Sequence, residues 1–278
     1  YYSNLIDNFI SLQKKIMKNI IAFLLLLVFV AGVVHLLKAQ TFEKSHYING
    51  GDTLKYRIMF PDNFDKQKQY PLIVFLHGAG ERGNDNEKQL VHGRSFFSDQ
   101  QARENFPAIV VFPQCPQDDY WARIDFSVNE DGTRNFTFRP DLEPTNVMTL
   151  LIGLIDKTLS EAWIDKEQVY IGGLSMGGMG TFELLYRKPE IFAAAFPICG
   201  GGSVETCHVF ARKVPVWVFH GEVDAVVPVD FSVQMVNQIK QEGGDPKLTI
   251  YPGVNHNAWD YVFQEKELLP WLFSQKQK

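Results

Sequence analysis

The chain is 278 residues long, 45% hydrophobic and 13% aromatic, enough apolar side chain for a substantial core and incompatible with a disordered or fibrous protein. Its 27 Lys and Arg against 32 Asp and Glu leave a formal charge of −5, and no stretch gathers the basic residues into the stripe that nucleic-acid binding requires, so DNA and RNA are not expected partners. Three cysteines without a C-x-x-C spacing exclude a disulfide scaffold and a cysteine-rich zinc site.

The first segment to depart from the average composition runs from Ile20 to Leu37, apolar throughout except for His35 and preceded by Lys14, Lys15 and Lys18. A charged start, an apolar run and a small residue at Ala39 describe a secretory signal peptide, although the run exceeds the usual ~7 to 15 residues; an uncleaved N-terminal anchor is the alternative. Met17 is the expected start of translation, which makes residues 1–16 upstream read-through, 17–39 the signal or anchor, and 40–278 one catalytic domain. No cysteine lies near the end of the run, so a bacterial lipoprotein is not indicated. The expectation is a periplasmic or secreted protein that meets the membrane only if the N-terminal segment is retained. Without residues 1–39 the chain loses four lysines and one aspartate, and its charge becomes −8. In an oxidising compartment Cys199 and Cys207 are close enough in sequence to bridge, with Cys115 left over; three buried free thiols are the equal alternative.

After Gln40 there is no internal repeat, low-complexity tract or linker. Thr53 to Phe60 alternates apolar and polar residues, which predicts an outer antiparallel strand with one wet face, ended by Pro61. Short, almost wholly apolar runs follow: Leu72 to Leu76, Ala108 to Phe112, Val169 to Ile171, Ala193 to Ile198, Val214 to Phe219 and Leu248 to Tyr251. Such runs are what a parallel sheet covered on both faces requires. Between them, helical spacing marks Val147 to Leu159, Gly178 to Arg187, Phe231 to Lys240 and Trp259 to Phe273. The alternation predicts an open α/β sheet with crossover helices, whose ligand sites form beyond the carboxyl ends of the strands.

At one such strand end stands Gly172-Gly173-Leu174-Ser175-Met176-Gly177-Gly178, which contains G-x-S-x-G. A strand that turns directly into a helix strains the turn residue and needs small neighbours, so the Ser175 hydroxyl is raised clear of the sheet. The Met176 N–H opens the helix, where backbone donors lack partners and the dipole favours negative charge. A phosphate loop is disfavoured because no G-x-x-x-x-G-K-[ST] occurs.

An unactivated serine is a poor nucleophile, so a histidine must take its proton and a carboxylate must orient that histidine. A strand–serine–helix turn of this kind takes its partners in the chain order serine, acid, histidine. Only His208, His220 and His256 follow Ser175. His220 ends an apolar strand, where an imidazole packs more often than it reacts. His208 comes too early to leave a strand-end carboxylate ahead of it. His256, past the last strand, is the candidate base. Asp224, just beyond the preceding strand, is the candidate acid, with Glu222 as its rival.

Strand Leu72 to Leu76 runs into His77-Gly78-Ala79-Gly80-Glu81-Arg82-Gly83, whose small residues let backbone N–H groups approach a substrate oxygen. The Ala79 and Met176 N–H groups are the expected oxyanion donors, and His77 is expected to be structural. The region Gln114 to Thr145 reads as a long irregular loop, the kind that carries function or disorder; it holds Tyr120, Trp121, Phe126, Phe136 and Phe138. Gln114, Trp121 and Trp259 are the candidate substrate contacts, with core packing as the competing role for both tryptophans. Arg82 and Glu81 can equally form a solvated pair. No metal or organic cofactor is required.

The segments His77 to Gly83, Pro113-Gln114-Cys115-Pro116, Gly173 to Gly178, Pro197 to Gly202, His220 to Asp224 and His256-Asn257-Ala258-Trp259 together resemble the secreted bacterial α/β-hydrolases of the carboxylesterase and predicted-peptidase group, itself similar to feruloyl esterases, acetyl-xylan esterases and polyhydroxybutyrate depolymerases. The resemblance spans Leu54 to Leu272. It implies the α/β-hydrolase fold, a Ser175, Asp224, His256 triad, and an exported serine esterase that cleaves carboxylic esters through an acyl-enzyme, with feruloyl or acetyl side groups of plant polysaccharide as the expected substrates. A serine peptidase of the prolyl oligopeptidase-like type and a catalytically silent carbohydrate-binding hydrolase fold are the rival readings. One scaffold of this kind hosts many acyl groups.

Overall fold

The computed structural model describes residues 13–26, 42–128, 130, 132 and 134–277. The chain divides into two units, Tyr1–Thr41 and Phe42–Lys278. In the first, residues 13–26 form a helix, α1. The rest of the expected leader, 27–39, and most of the expected read-through, residues 1–12, lie outside the described residues. Among the described residues no helix is long and apolar enough to cross a membrane.

The second unit is an α/β sandwich. Its strands are β1 (Glu43–Asn49), β2 (Asp52–Met59), β3 (Tyr70–Leu76), β4 (Ile109–Pro113), β5 (Ile124–Val128), β6 (Arg134–Phe138), β7 (Ile164–Leu174), β8 (Ala194–Ile198), β9 (Trp217–Gly221) and β10 (Lys247–Tyr251). Its helices are α2 (Arg94–Phe97), α3 (Gln100–Asn105), α4 (Asn146–Leu159), α5 (Met176–Arg187), α6 (Cys207–Phe210), α7 (Asp230–Gln241), α8 (Trp259–Val262) and α9 (Leu268–Phe273). Eight strands form one sheet in the order β1-β2-β4-β3-β7-β8-β9-β10. The β1–β2 and β2–β4 pairs are antiparallel and every other pair is parallel.

The apolar runs behave as period-2 strands buried on both faces require. Leu72, Val74 and Leu76 point into a core shared with α4, α5, α6 and α7. Ile73 and Phe75, between them, point into a second core closed by α2, α8 and α9. Helix α4 starts where Thr145 Oγ1 accepts the Met148 N–H at 3.2 Å, an N-cap that ends the preceding loop.

Three expectations need correction. β2 is not the outermost strand, because β1 adds to its free edge; β1 is mostly exposed and so carries little hydrophobic signal. The helix expected over Trp259 to Phe273 is two short helices, α8 and α9. Pro270 in the first turn of α9 has no N–H to donate backward, so a continuous helix cannot pass through it. The region Gln114 to Thr145 is not a plain loop: β5 and β6 form an antiparallel hairpin with Phe126 opposite Phe136 and Ile124 opposite Phe138. Of the two readings left open for the cysteines, the structure has the second: Cys115, Cys199 and Cys207 are all buried free thiols.

Candidate active site

Ser175 stands alone between the last residue of β7 and the first of α5, at φ 54° and ψ −117°. A non-glycine residue there costs about 1–3 kcal/mol and persists only where its surroundings impose it. Here they do. The Ser175 N–H donates to Ile198 O at 2.8 Å and the Ser175 carbonyl accepts from Met179 N at 3.0 Å. A Cβ on Gly177 would strike the Leu76 carbonyl, and one on Gly173 would strike Gly177. Glycines at both positions let β3, β7 and α5 approach closely enough to force the turn.

The Ser175 Oγ lies 2.9 Å from His256 Nε2, and His256 Nδ1 lies 2.7 Å from Asp224 Oδ2. The carboxylate can only accept, so Nδ1 donates to Asp224 and Nε2 is left to accept the Ser175 hydroxyl proton. Asp224 Oδ1 accepts the Val226 and Val227 N–H groups at 2.8 and 2.9 Å. Burial pushes the Asp224 carboxyl up, but hydrogen bonds from His220, His256 and the Val227 N–H outweigh it and hold the group well below the usual carboxylate range. Asp224 is thus fixed as an anion. Glu222 is turned elsewhere and accepts the Gly253 N–H at 2.9 Å. His208 is exposed and faces Glu205 O.

Asn255 was not singled out from the sequence, yet it joins the two loops that carry this pair. Its Oδ1 accepts from Ala225 N at 2.9 Å and from His256 N at 2.8 Å. Only its place beside His256 hinted at this.

On the other side of Ser175, the loop after β3 comes close: a Cβ added to Gly78 would lie 2.8 Å from Leu174 Cδ1 and 3.6 Å from the Ser175 Cβ. Ala79 follows in a short 3-10 turn, Ala79–Glu81, and lines the same cavity as Ser175. Arg82 braces this turn, donating from Nε to Ala79 O at 3.1 Å. His77 is buried beneath it, and burial lowers its pKa to about 4, so the ring is neutral. Its Nδ1 donates to Gly78 O at 2.7 Å and its Nε2 accepts the Cys115 N–H at 2.9 Å. Glu81 pairs with His92 at 3.7 Å rather than with Arg82.

Ser175 and His256 open into a cavity of about 570 Å³. Its lining combines an apolar group, Tyr120, Ile124, Phe126, Phe136, Val226 and Val227, with the polar or charged Glu81, Arg82, His92 and Arg134 and with Trp259. Trp259 stands edge-on to the His256 ring, centroids 5.4 Å apart. The hairpin residues Ile124 and Phe136 were hidden in what read as loop, although the alternation Ile124, Phe126, Val128 signalled a strand. Two candidate substrate contacts are corrected. Trp121 is wholly buried, donating from Nε1 to His77 O at 3.1 Å, and is a core residue. Gln114 lies outside this cavity. It is buried, accepting Asn86 N at 2.6 Å and donating to Asp85 Oδ1 at 2.9 Å, so it braces the loop after β3.

The sequence profile of the family described as Phospholipase/Carboxylesterase matches residues 63–267. Among curated proteins, "Probable feruloyl esterase C" of Aspergillus terreus is 28% identical over 199 residues, 71% of this chain and 63% of that protein. "Acyl-protein thioesterase 1" of Neurospora crassa is 30% identical over 207 residues, 67% of this chain and 80% of that protein. A solved structure described as a thermostable esterase superposes with a TM-score of 0.75 at 35% identity, covering 87% of this chain and 64% of that one. The chain therefore spans slightly less than two thirds of the Aspergillus protein and of the solved esterase.

Proposed function

We propose, from the premise that this chain belongs to the phospholipase/carboxylesterase family of α/β-hydrolases, that it hydrolyses carboxylic esters through an acyl-enzyme formed on Ser175. The observation that carries this reading is the unbroken chain Ser175 Oγ, His256 Nε2, His256 Nδ1, Asp224 Oδ2, with contacts of 2.9 and 2.7 Å. His256 takes the hydroxyl proton as Oγ bonds to the ester carbonyl carbon. The imidazolium so formed is stabilised by Asp224 and returns its proton to the leaving alcohol oxygen as the C–O bond breaks. Water, deprotonated by the same histidine, then attacks the acyl-enzyme and releases the acid. The N–H groups of Ala79 and Met176 are the donors proposed for the carbonyl oxygen as it gains charge. Preorganised donors of this type are worth about 3–4 kcal/mol each in the transition state.

The cavity divides by chemistry. The apolar group of the lining suits a flat, bulky acyl group, and Glu81, His92 and Trp259 are left to meet a polar alcohol. A hydroxycinnamoyl ester such as feruloyl on a sugar fits this division better than acetyl does, and the Aspergillus relative named as a feruloyl esterase supports it. We further propose that residues 17–39 export the domain beginning at residue 40, placing it in the periplasm or outside the cell, where polysaccharide esters are met. The test is release of ferulate against acetate from arabinoxylan by the domain, with Ser175→Ala as control. Ferulate release that exceeds acetate release and vanishes in the variant supports the reading; undiminished turnover in the variant rejects it.

A further inference from the structure

Beside Asp224 lies a buried cluster that takes no part in the steps above. His220 Nε2 is 3.3 Å from Asp224 Oδ2, and ligand atoms of Cys199, His220 and Asp224 all lie within 4.8 Å of one another. His220 and Cys199 are completely buried. Burial, followed by the Asp224 charge, pushes the Cys199 thiol up to about 12, so beside the carboxylate it is a protonated hydrogen-bond donor.

The proton positions follow from the partners. His220 Nε2 faces only acceptors, Val227 O at 2.8 Å and Asp224 Oδ2, so it carries hydrogen. His220 Nδ1 meets Ser232 Oγ at 2.7 Å, and Ser232 Oγ lies 3.0 Å from Gly200 O. Gly200 in turn abuts Gly178 of α5, close enough that neither tolerates a Cβ. The imidazole therefore links the Asp224 loop to α7. On the other side, Cys199 at φ 47° holds its sulfur beneath the N–H groups of Gly221 and Ala258 with Asp224 as its third neighbour. Burying this many polar groups costs free energy unless each is bonded, and an apolar side chain in place of His220 would fill the space at less cost.

We propose that His220 is a positioning residue: by donating from Nε2 to Val227 O and toward Asp224 Oδ2, with the Cys199 thiol closing the opposite side, it prevents the carboxylate from turning away from His256. It touches no substrate and acts through Asp224. The inference rests on the reading of Ser175, His256 and Asp224 as the acyl-transfer machinery. Outer partners that orient a first-line group are typically worth on the order of 10- to 100-fold, well short of the ~10⁴-fold lost when the triad acid itself is altered.

A matched pair of variants tests it. His220→Gln keeps an N–H donor near the Nε2 position, whereas His220→Asn is polar but too short to reach Val227 O. Expected for 4-nitrophenyl acetate is a kcat on the order of 10- to 100-fold lower in His220→Asn at unchanged KM, with His220→Gln within about threefold of wild type. Inactivation of Ser175 by a fluorophosphonate slows in step with kcat. The downfield proton resonance of the His256 Nδ1–Asp224 bond is present in wild type and His220→Gln and lost in His220→Asn. Both variants at the wild-type rate, or both lowered equally and in proportion to a fall in melting temperature, overturn the proposal. Should wild type hydrolyse no ester at all, the proposed function fails while the resonance still decides: unaltered in His220→Asn, it overturns the positioning role.

Discussion

At the nucleophile elbow, β3, β7 and α5 come together so tightly that Gly173 and Gly177 leave no space for a methyl group, and Ser175 is held in a left-handed backbone. At the β5–β6 hairpin, which lines the same cavity, nothing of the kind holds: Phe126 is 53% exposed and Val128 57%, and the lining is made by which side chains the pleat turns inward. The first region fixes where one oxygen sits through main-chain contacts. The second offers a surface whose shape changes with each substitution. Under the proposed function, reactivity and selectivity are built from different materials, one from main chain and one from side chains, and they should fail differently.

The largest expected effect tests the elbow's chemistry. Ser175→Ala should lower kcat on p-nitrophenyl esters on the order of 10⁶-fold and abolish fluorophosphonate labelling, while circular dichroism and melting temperature stay close to wild type. Next comes its packing. Gly177→Ala drives a Cβ into the Leu76 carbonyl, and the expected loss is more than about 3 kcal/mol in urea unfolding, whereas Val128→Ala at the hairpin should change stability by less than about 0.5 kcal/mol. Similar losses in the two variants would erase the contrast.

Acid probes the same side. Because burial holds His77 near 4 in the fold and an unfolded histidine titrates near ~6.5, the folded state prefers the neutral ring. Its contribution is complete above about pH 6.5 and is lost as pH falls toward 4, a difference of roughly 3 kcal/mol. Thermal melts from pH 7 to 4 should show this decline, and His77→Gln should flatten it; parallel curves for the two proteins would show that the limb belongs to another group. The smallest effect falls on the hairpin. Phe126→Ala should reduce kcat/KM for methyl ferulate about tenfold and leave 4-nitrophenyl acetate unchanged. An equal reduction for both esters would assign Phe126 to the reaction rather than to acyl choice.

The same division explains what could be read from the amino-acid order. The α/β alternation and the G-x-S-x-G turn are local, because a parallel strand buried on both faces must be apolar and a crowded turn must be glycine. His256 and Asp224 follow from strand-end positions, and the structure brings their side chains into hydrogen-bonding contact with each other and with Ser175. Gln114 and Trp121 sit in a polar, aromatic stretch, which by sequence points to substrate contact. Whether an aromatic side chain faces a cavity or a core depends on the hairpin around it, and a five-residue strand such as Ile124–Val128 leaves a short signal in a long irregular-looking segment. Asn255 was invisible as a partner for a related reason: its side chain reaches Ala225 on another loop.

The three cysteines carry a last consequence. Each is sealed inside the second unit, with its sulfur out of contact with solvent and unpaired. For a chain threaded unfolded across a membrane into oxidising surroundings, the hazard is a wrong bridge formed during the seconds before those thiols disappear from reach. If residues 17–39 export the domain as proposed, speed of collapse around Cys115, Cys199 and Cys207 serves as the safeguard that a permanent cross-link supplies in disulfide-bonded proteins, and slow-folding variants should betray themselves as disulfide-linked oligomers on non-reducing gels.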